Sequence, residues 1–219
     1  MIVIEPTKAS KYSLLLLHGL GANGEDLANL VPMLEQQLPQ SRRGQIRYLC
    51  PDAPVRPVSL NNGYPMRAWF DIYGLDAQAP IDRDGIAASV LTIRAILAEQ
   101  LTELGAQNVL VGGFSQGGVI ALHAALGLDE KLAGVLALST WLPAVDLLPD
   151  RAKNPELPIF LGHGLHDEIV PLSAAEQAIE LLKTMGMRRI ERHVYAMGHA
   201  ILPEEIADIA EWIARVTSD

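Results

Sequence analysis

A chain of 219 residues, 49% hydrophobic and 20% charged, is long enough for one well-buried globular domain over 1–219 and leaves little for a second. Seventeen basic residues against 26 acidic ones give a formal charge of −9, and Arg42-Arg43 and Arg188-Arg189 are mere pairs. Binding to nucleic acid and adsorption to an anionic membrane are therefore disfavoured. Cys50 is the lone cysteine and cannot form an intrachain disulfide. Residues 1–6 lack the charged and apolar regions of a secretory signal, and the aliphatic run 14–17 is too short to span a bilayer. The expectation is a cytoplasmic protein without stable membrane insertion.

Short apolar runs alternate with longer helical patterns, which predicts an α/β fold with a mostly parallel sheet. Residues 2–4 suit a short edge strand. Residues 13–17 read as a strand buried on both faces, ending at His18-Gly19-Leu20-Gly21. Leu27, Leu30, Leu34 and Leu38 follow at helical spacing, with Pro32 placed to split the helix. Residues 46–50 form the next strand. The stretch 51–83 is irregular and proline-rich, contains Trp69-Phe70-Asp71, and is expected to be functional or to carry short elements of its own. Ile86, Val90, Ile93, Leu97, Leu101 and Leu104 then make one helical stripe, closed by Gly105.

An apolar strand at 109–111 leads into Gly112-Gly113-Phe114-Ser115-Gln116-Gly117-Gly118. A G-x-S-x-G between a strand and a helix is the setting of a nucleophilic serine. Side chains at Gly113 and Gly117 would collide where the two elements meet, and the turn strains Ser115 while exposing it beside the free N–H groups of the new helix. Further strands are expected at 132–138, running into Ser139-Thr140-Trp141-Leu142-Pro143, and at 159–161, running into Gly162-His163-Gly164-Leu165-His166-Asp167. Ser173 and Glu176 have capping-box spacing for the helix that follows. Residues 190–195 form the last strand, before Met197-Gly198-His199 and a terminal helix opened by Pro203.

In an open parallel sheet the loops after the strands share one edge, so distant residues can meet around Ser115. A serine nucleophile needs a base, and the base needs an orienting acid, in the chain order nucleophile, acid, histidine. Ser115, Asp167 and His199 satisfy that order. Glu168 and Asp146 compete with Asp167, which is favoured by its strong preceding strand and tight turn. His193, His163 and His166 compete with His199, the first lying within a strand and the others beside the acid. Without these partners Ser115 would read as a helix cap, Asp167 as a turn carboxylate and His199 as a structural histidine.

An oxyanion hole needs two N–H donors. The Gln116 amide supplies one, and the loop 18–21 is the source of the other, with His18 bracing that loop. The cluster His163-x-x-His166-Asp167-Glu168 lacks a zinc-helix register, so no metal is expected. No dinucleotide or Walker loop is present, so no cofactor is expected.

Together, His18-Gly19-Leu20-Gly21, Trp69-Phe70-Asp71, Gly113-Phe114-Ser115-Gln116-Gly117-Gly118, Asp167 with Val170-Pro171, and Gly198-His199 resemble the acyl-protein thioesterase/carboxylesterase family of small α/β-hydrolases, in order and over nearly the whole chain. The resemblance implies an α/β-hydrolase fold with no large cap domain. It also implies a triad of Ser115, Asp167 and His199, and an oxyanion hole from the Leu20 and Gln116 amides. It implies an acyl groove bordered by the loop around Trp69, with Trp141 and Leu142 as further substrate contacts. Residues 139–143 resemble a family serine-glycine-x-leucine-proline stretch, but Thr140 replaces the glycine and Trp141 is bulky, which puts the pocket's dimensions in question. Ordinary core packing is the competing role for both tryptophans.

The expected activity is hydrolysis of carboxylic esters of short-to-medium acyl chains through an acyl-enzyme. The alternatives are a thioesterase or lysophospholipase on longer chains and a hydrolase-fold protein that binds a ligand without turning it over. The partner implied is a small ester or thioester, or an acylated protein.

Overall fold

The computed structural model describes residues 1–74 and 79–217. Positions 75–78 of the irregular stretch, and 218–219 at the end of the expected domain, lie outside it. The elements run β1 (Ile2–Ile4), β2 (Tyr12–Leu17), α1 (Gly24–Ala28), α2 (Val31–Gln37), β3 (Ile46–Cys50), β4 (Val55–Val58), β5 (Tyr64–Arg67), α3 (Arg83–Leu104), β6 (Val109–Phe114), α4 (Gln116–Leu126), β7 (Gly134–Leu138), β8 (Ile159–Gly164), α5 (Leu172–Thr184), β9 (Ile190–Tyr195) and α6 (Pro203–Val216).

Seven strands form the central sheet in the order β1-β3-β2-β6-β7-β8-β9. Only β1 is antiparallel, pairing at the edge with β3, and every other pairing is parallel. Alternate residues of each strand feed two cores. Leu15, Leu17, Val109, Val111, Val135 and Ile159 face α3, α4 and α5. Leu14, Leu16, Leu110, Leu136 and Phe160 face α1, α2 and α6. This two-sided burial explains the unbroken apolar runs in the sequence. α4 is buried along its whole length, which is why it is apolar all round. α3 is long and apolar enough by length and composition to cross a membrane. Its stripe of Ile86, Ile93 and Leu97 is fully buried in the core it shares with α4.

Pro32 does split its helix, standing at the start of α2. The stretch 51–83 carries an antiparallel hairpin, β4–β5, and a bridge between Ile72 and Ile81. Several expectations need correction, beginning with β6, which runs on to Phe114, and β7, which starts only at Gly134. β8 continues through Gly162, His163 and Gly164, because these residues pair with His193, Val194 and Tyr195. The capping box at Ser173 does not form: Pro171, in extended conformation, precedes a helix that starts at Leu172 with no side-chain cap. Ser173 is thus already inside the helix, and Glu176 pairs with Arg192 at 2.9 Å.

Candidate active site

β6 ends directly in Ser115, whose φ of 55° and ψ of −120° lie in a sparsely populated region. Such strain costs of order 1–3 kcal/mol and persists only when surrounding structure enforces it. Two close approaches do so. A Cβ on Gly113 would meet the Gly117 carbonyl carbon at 2.2 Å, and a Cβ on Gly117 would meet the Leu17 carbonyl oxygen at 2.0 Å. The Ser115 amide is tied to the end of β7 through the Leu138 carbonyl at 2.8 Å.

The loop after β2 is braced from beneath. His18 is fully buried. Its Nδ1 lies 2.7 Å from the Gly19 carbonyl and its Nε2 lies 3.0 Å from the Ala53 amide, so Nδ1 carries the proton and Nε2 accepts. Burial holds its pKa below the ordinary histidine value, and the ring acts as a neutral strut. Gly21 donates to the Arg67 carbonyl at 2.9 Å. A Cβ on Gly19 would lie 3.5 Å from the Ser115 Cβ, so this loop stands beside the serine. The amides of Leu20 and Gln116 donate to no acceptor among the described residues.

Trp69 belongs to this bracing rather than to a substrate wall. It is 1% exposed, and its indole N–H donates to the His18 carbonyl at 2.9 Å. The Gln116 side chain, which the sequence reading left without a role, clamps the same segment. Its Oε1 accepts from the Trp69 amide at 2.8 Å and its Nε2 donates to the Phe70 carbonyl at 2.7 Å.

β8 and β9 bring the acid and the imidazole together. Their ends pack so closely that a Cβ on Gly164 would meet the Gly198 carbonyl at 2.3 Å, and the His166 amide donates to Met197 at 2.9 Å. Asp167 Oδ1 accepts from the amides of Ile169 and Val170 at 3.0 and 2.8 Å, leaving Oδ2 to receive His199 Nδ1 at 2.7 Å. That contact assigns the Nδ1 proton and leaves Nε2 bare. The His199 ring rests on Phe114, the neighbour of Ser115, with centroids 4.6 Å apart.

Of the competing residues, His163 lies beside the pair, with Nε2 3.6 Å from Asp167 Oδ2, and the others are placed away from it. Glu168 is exposed, and Asp146 pairs on the surface with Arg83 at 3.0 Å. His193 stacks on Phe160, and His166 is exposed. His163 commits Nε2 to the Val170 carbonyl at 2.8 Å, and burial keeps its pKa low.

A groove of about 320 Å³ runs beside these residues. Phe70, Tyr73, Ile81, Trp141, Leu142 and Ile169 are among its lining residues. It adjoins the site at Phe70, held by Gln116, and at Val170, whose amide binds Asp167. Trp141 meets Phe70 edge-on at 6.2 Å. Tyr73, Ile81 and Ile169 were not foreseen as lining residues. Nothing in their spacing marks them: Tyr73 and Ile81 lie at the Ile72–Ile81 bridge, and Ile169 is on the connection from β8 to α5. Thr140 is fully buried and is not among the groove's lining residues, whereas the bulky Trp141 beside it is.

A mostly parallel sheet with a strained serine between strand and helix, and an Asp–His pair on the loops after later strands, defines the α/β-hydrolase class. Residues 1–217 match the family model described as phospholipase/carboxylesterase, and the chain belongs to that family of hydrolases. It is 34% identical over 220 residues to acyl-protein thioesterase 1 of Debaryomyces hansenii, covering 98% of this chain and 95% of that protein. Among solved structures, acyl-protein thioesterase 2 of Zea mays superposes with a TM-score of 0.87 at 29% identity, over 99% of this chain and 98% of the other. SOBER1 of Arabidopsis thaliana does so with a TM-score of 0.84 at 32% identity, over 94% and 99%.

Proposed function

We propose that this protein is a serine esterase acting on carboxylic esters of short-to-medium acyl chains. Ser115 Oγ attacks the ester carbonyl carbon while His199 Nε2 takes its proton. Asp167 holds the ring in the required tautomer and stabilises the imidazolium. The carbonyl oxygen becomes an oxyanion and accepts from the Leu20 and Gln116 amides. Collapse of the tetrahedral adduct breaks the bond to the alcohol, which leaves with the proton from His199. Water, activated by the same imidazole, then attacks the acyl-enzyme and releases the acid and Ser115.

The observation that carries this reading is the Asp167 carboxylate, saturated on one oxygen by two amides and offering the other to His199 Nδ1 at 2.7 Å. Substitution Ser115→Ala is expected to cut turnover of a p-nitrophenyl ester by more than about 10⁴-fold. Turnover retained in that variant sinks the proposal. A groove of about 320 Å³ is near the lower end of the roughly 300–1,000 Å³ typical of ligand pockets, which supports the shorter chains.

Its apolar lining and the acyl-protein thioesterase relatives favour a second reading, a thioesterase on longer chains. Matched esters and thioesters compared across acyl length separate the two. Cys50, the chain's lone cysteine, is free and buried, which supports a cytoplasmic setting.

A further inference from the structure

The hydroxyl of Thr140 is spent on the nucleophile's own backbone. Thr140 follows β7 after Ser139, which has a φ of 44°, and it is fully buried. Its Oγ1 donates to the Ser115 carbonyl at 2.7 Å, and its 3.5 Å approach to the Trp141 carbonyl is too long to compete. The same side chain presses on the start of α4, where a Cβ on Gly118 would meet the Thr140 Cβ at 2.7 Å.

The Ser115 carbonyl and the Gln116 N–H belong to one planar peptide unit and point in opposite directions. Whatever fixes that oxygen therefore fixes the aim of that N–H. The oxygen also accepts from Gly118 at 2.9 Å and from Val119 at 3.4 Å, both within the helix that Ser115 caps. Thr140 adds a tie from the sheet, across 25 residues of chain. Ser115 has an unusual ψ, the torsion that rotates this plane, so a tie from a second element resists its relaxation. A hydrogen bond to the carbonyl also polarises the peptide and strengthens its N–H as a donor.

We propose that Thr140 is a positioning residue for hydrolysis: its hydroxyl holds the Ser115–Gln116 peptide plane so that the Gln116 amide stays aimed at the oxyanion. This rests on the reading of Ser115 as nucleophile and Gln116 as oxyanion donor.

The test compares wild type, Thr140→Val, Thr140→Ser and Thr140→Ala, with Ser115→Ala as the control for the underlying reading. Valine keeps the bulk and removes the donor, whereas serine keeps the donor and removes a methyl. Thr140→Val is expected to lower kcat about tenfold, a fraction of the roughly 10²–10³-fold lost with a whole oxyanion donor, with KM unchanged. A trifluoromethyl ketone of matching chain, which forms an oxyanionic adduct with a serine, binds Thr140→Val more weakly by the same factor. The matching primary amide, which resembles the ground state, binds both alike. Thr140→Ser recovers most of kcat.

A wild-type kcat in Thr140→Val overturns the inference, as does a change in KM alone or an equal loss in Thr140→Ser. Should Thr140→Val fail to melt cooperatively, Thr140→Ala against Thr140→Ser carries the test on the same criteria. An inactive Ser115→Ala beside a fully active Thr140→Val removes only this inference. An active Ser115→Ala removes the esterase reading itself.

Discussion

Around Ser115 the polar groups are cross-tied on several sides, whereas the wall of the adjoining groove mixes buried side chains such as Phe70 and Leu142 with half-exposed ones. His18 and Gln116 are fully buried and bonded at both ends of their side chains. Asp167 is 6% exposed and fills both oxygens. By contrast, Tyr73, Ile81 and Ile169 on the groove are 47%, 37% and 48% exposed. The difference follows from origin. Groups tied into the ends of parallel strands inherit the rigidity of the sheet, while side chains that point out of those ties, Ile169 among them although its amide holds Asp167, can vary with less disturbance. Bond-breaking tolerates little displacement, and the choice of acyl group tolerates more.

The largest expected effect comes from breaking the tied half at the acid. Asp167→Asn keeps the shape but replaces the oxygen that fixes the His199 tautomer, and esterase kcat should fall by about 10³–10⁴-fold. Alkylphosphonate labelling of Ser115 should slow in parallel, since attack needs the same base. Labelling at the wild-type rate would separate Asp167 from the proton path and refute its role.

The tied half was also the legible half. Strands buried on both faces show as unbroken apolar runs, and the elbow announces itself through glycines whose added Cβ atoms would strike backbone at 2.0–2.2 Å. What the sequence hid lies mostly in the irregular stretch. β4 and β5 each contain a proline, and Pro57 and Pro65 stand opposite one another, so the usual strand signal is absent from a hairpin that pairs nonetheless. Trp69 is placed at the groove by the family resemblance, against core packing as its competing role. Only the fold reveals that its indole N–H meets the carbonyl of His18. Ser173 looked like a cap because composition cannot show that Pro171 already sets the entry to α5.

Burial under the sheet is not free of cost, and Glu205 measures part of it. It sits in the first turn of α6, fully buried, with Oε1 against Gly162 of β8 and no full hydrogen bond to either oxygen among the described residues, the Leu202 backbone alone coming near. Burial pushes its pKa up to about 8; the Leu202 backbone pulls it back a little, and the charges of Asp208 and Glu204 push it up again. Its folded-state pKa thus lies above the unfolded value of about 4.5. Below the unfolded pKa the group adds no pH-dependent penalty. As pH rises from about 4.5 to about 8 the unfolded chain releases its proton first and the fold loses stability. Above that window the loss levels off. Glu205→Gln, which resembles the protonated acid, should match wild type near pH 4.5 and exceed it by roughly 3 kcal/mol at pH 7. Urea unfolding at both pH values checks this, and a constant offset between the two proteins would refute it.

The smallest expected effect belongs to the groove, where Trp141 stands edge-on to Phe70. If the groove chooses the acyl group, Trp141→Ala should lengthen the space available without touching the Asp167–His199 pair. The ratio of kcat/KM for dodecanoyl over butanoyl esters should then rise by about tenfold, the scale on which apolar pockets discriminate chain length. Acetyl esters, which reach least far along the groove, should change by no more than about threefold. Trp141 also packs against the core shared by α3, α4 and α5, so some loss of melting temperature accompanies the change whatever its role. The chain-length ratio distinguishes the two roles. An unchanged ratio with a lowered melting temperature would make Trp141 a core residue and move selectivity to the half-exposed wall of Tyr73, Ile81 and Ile169.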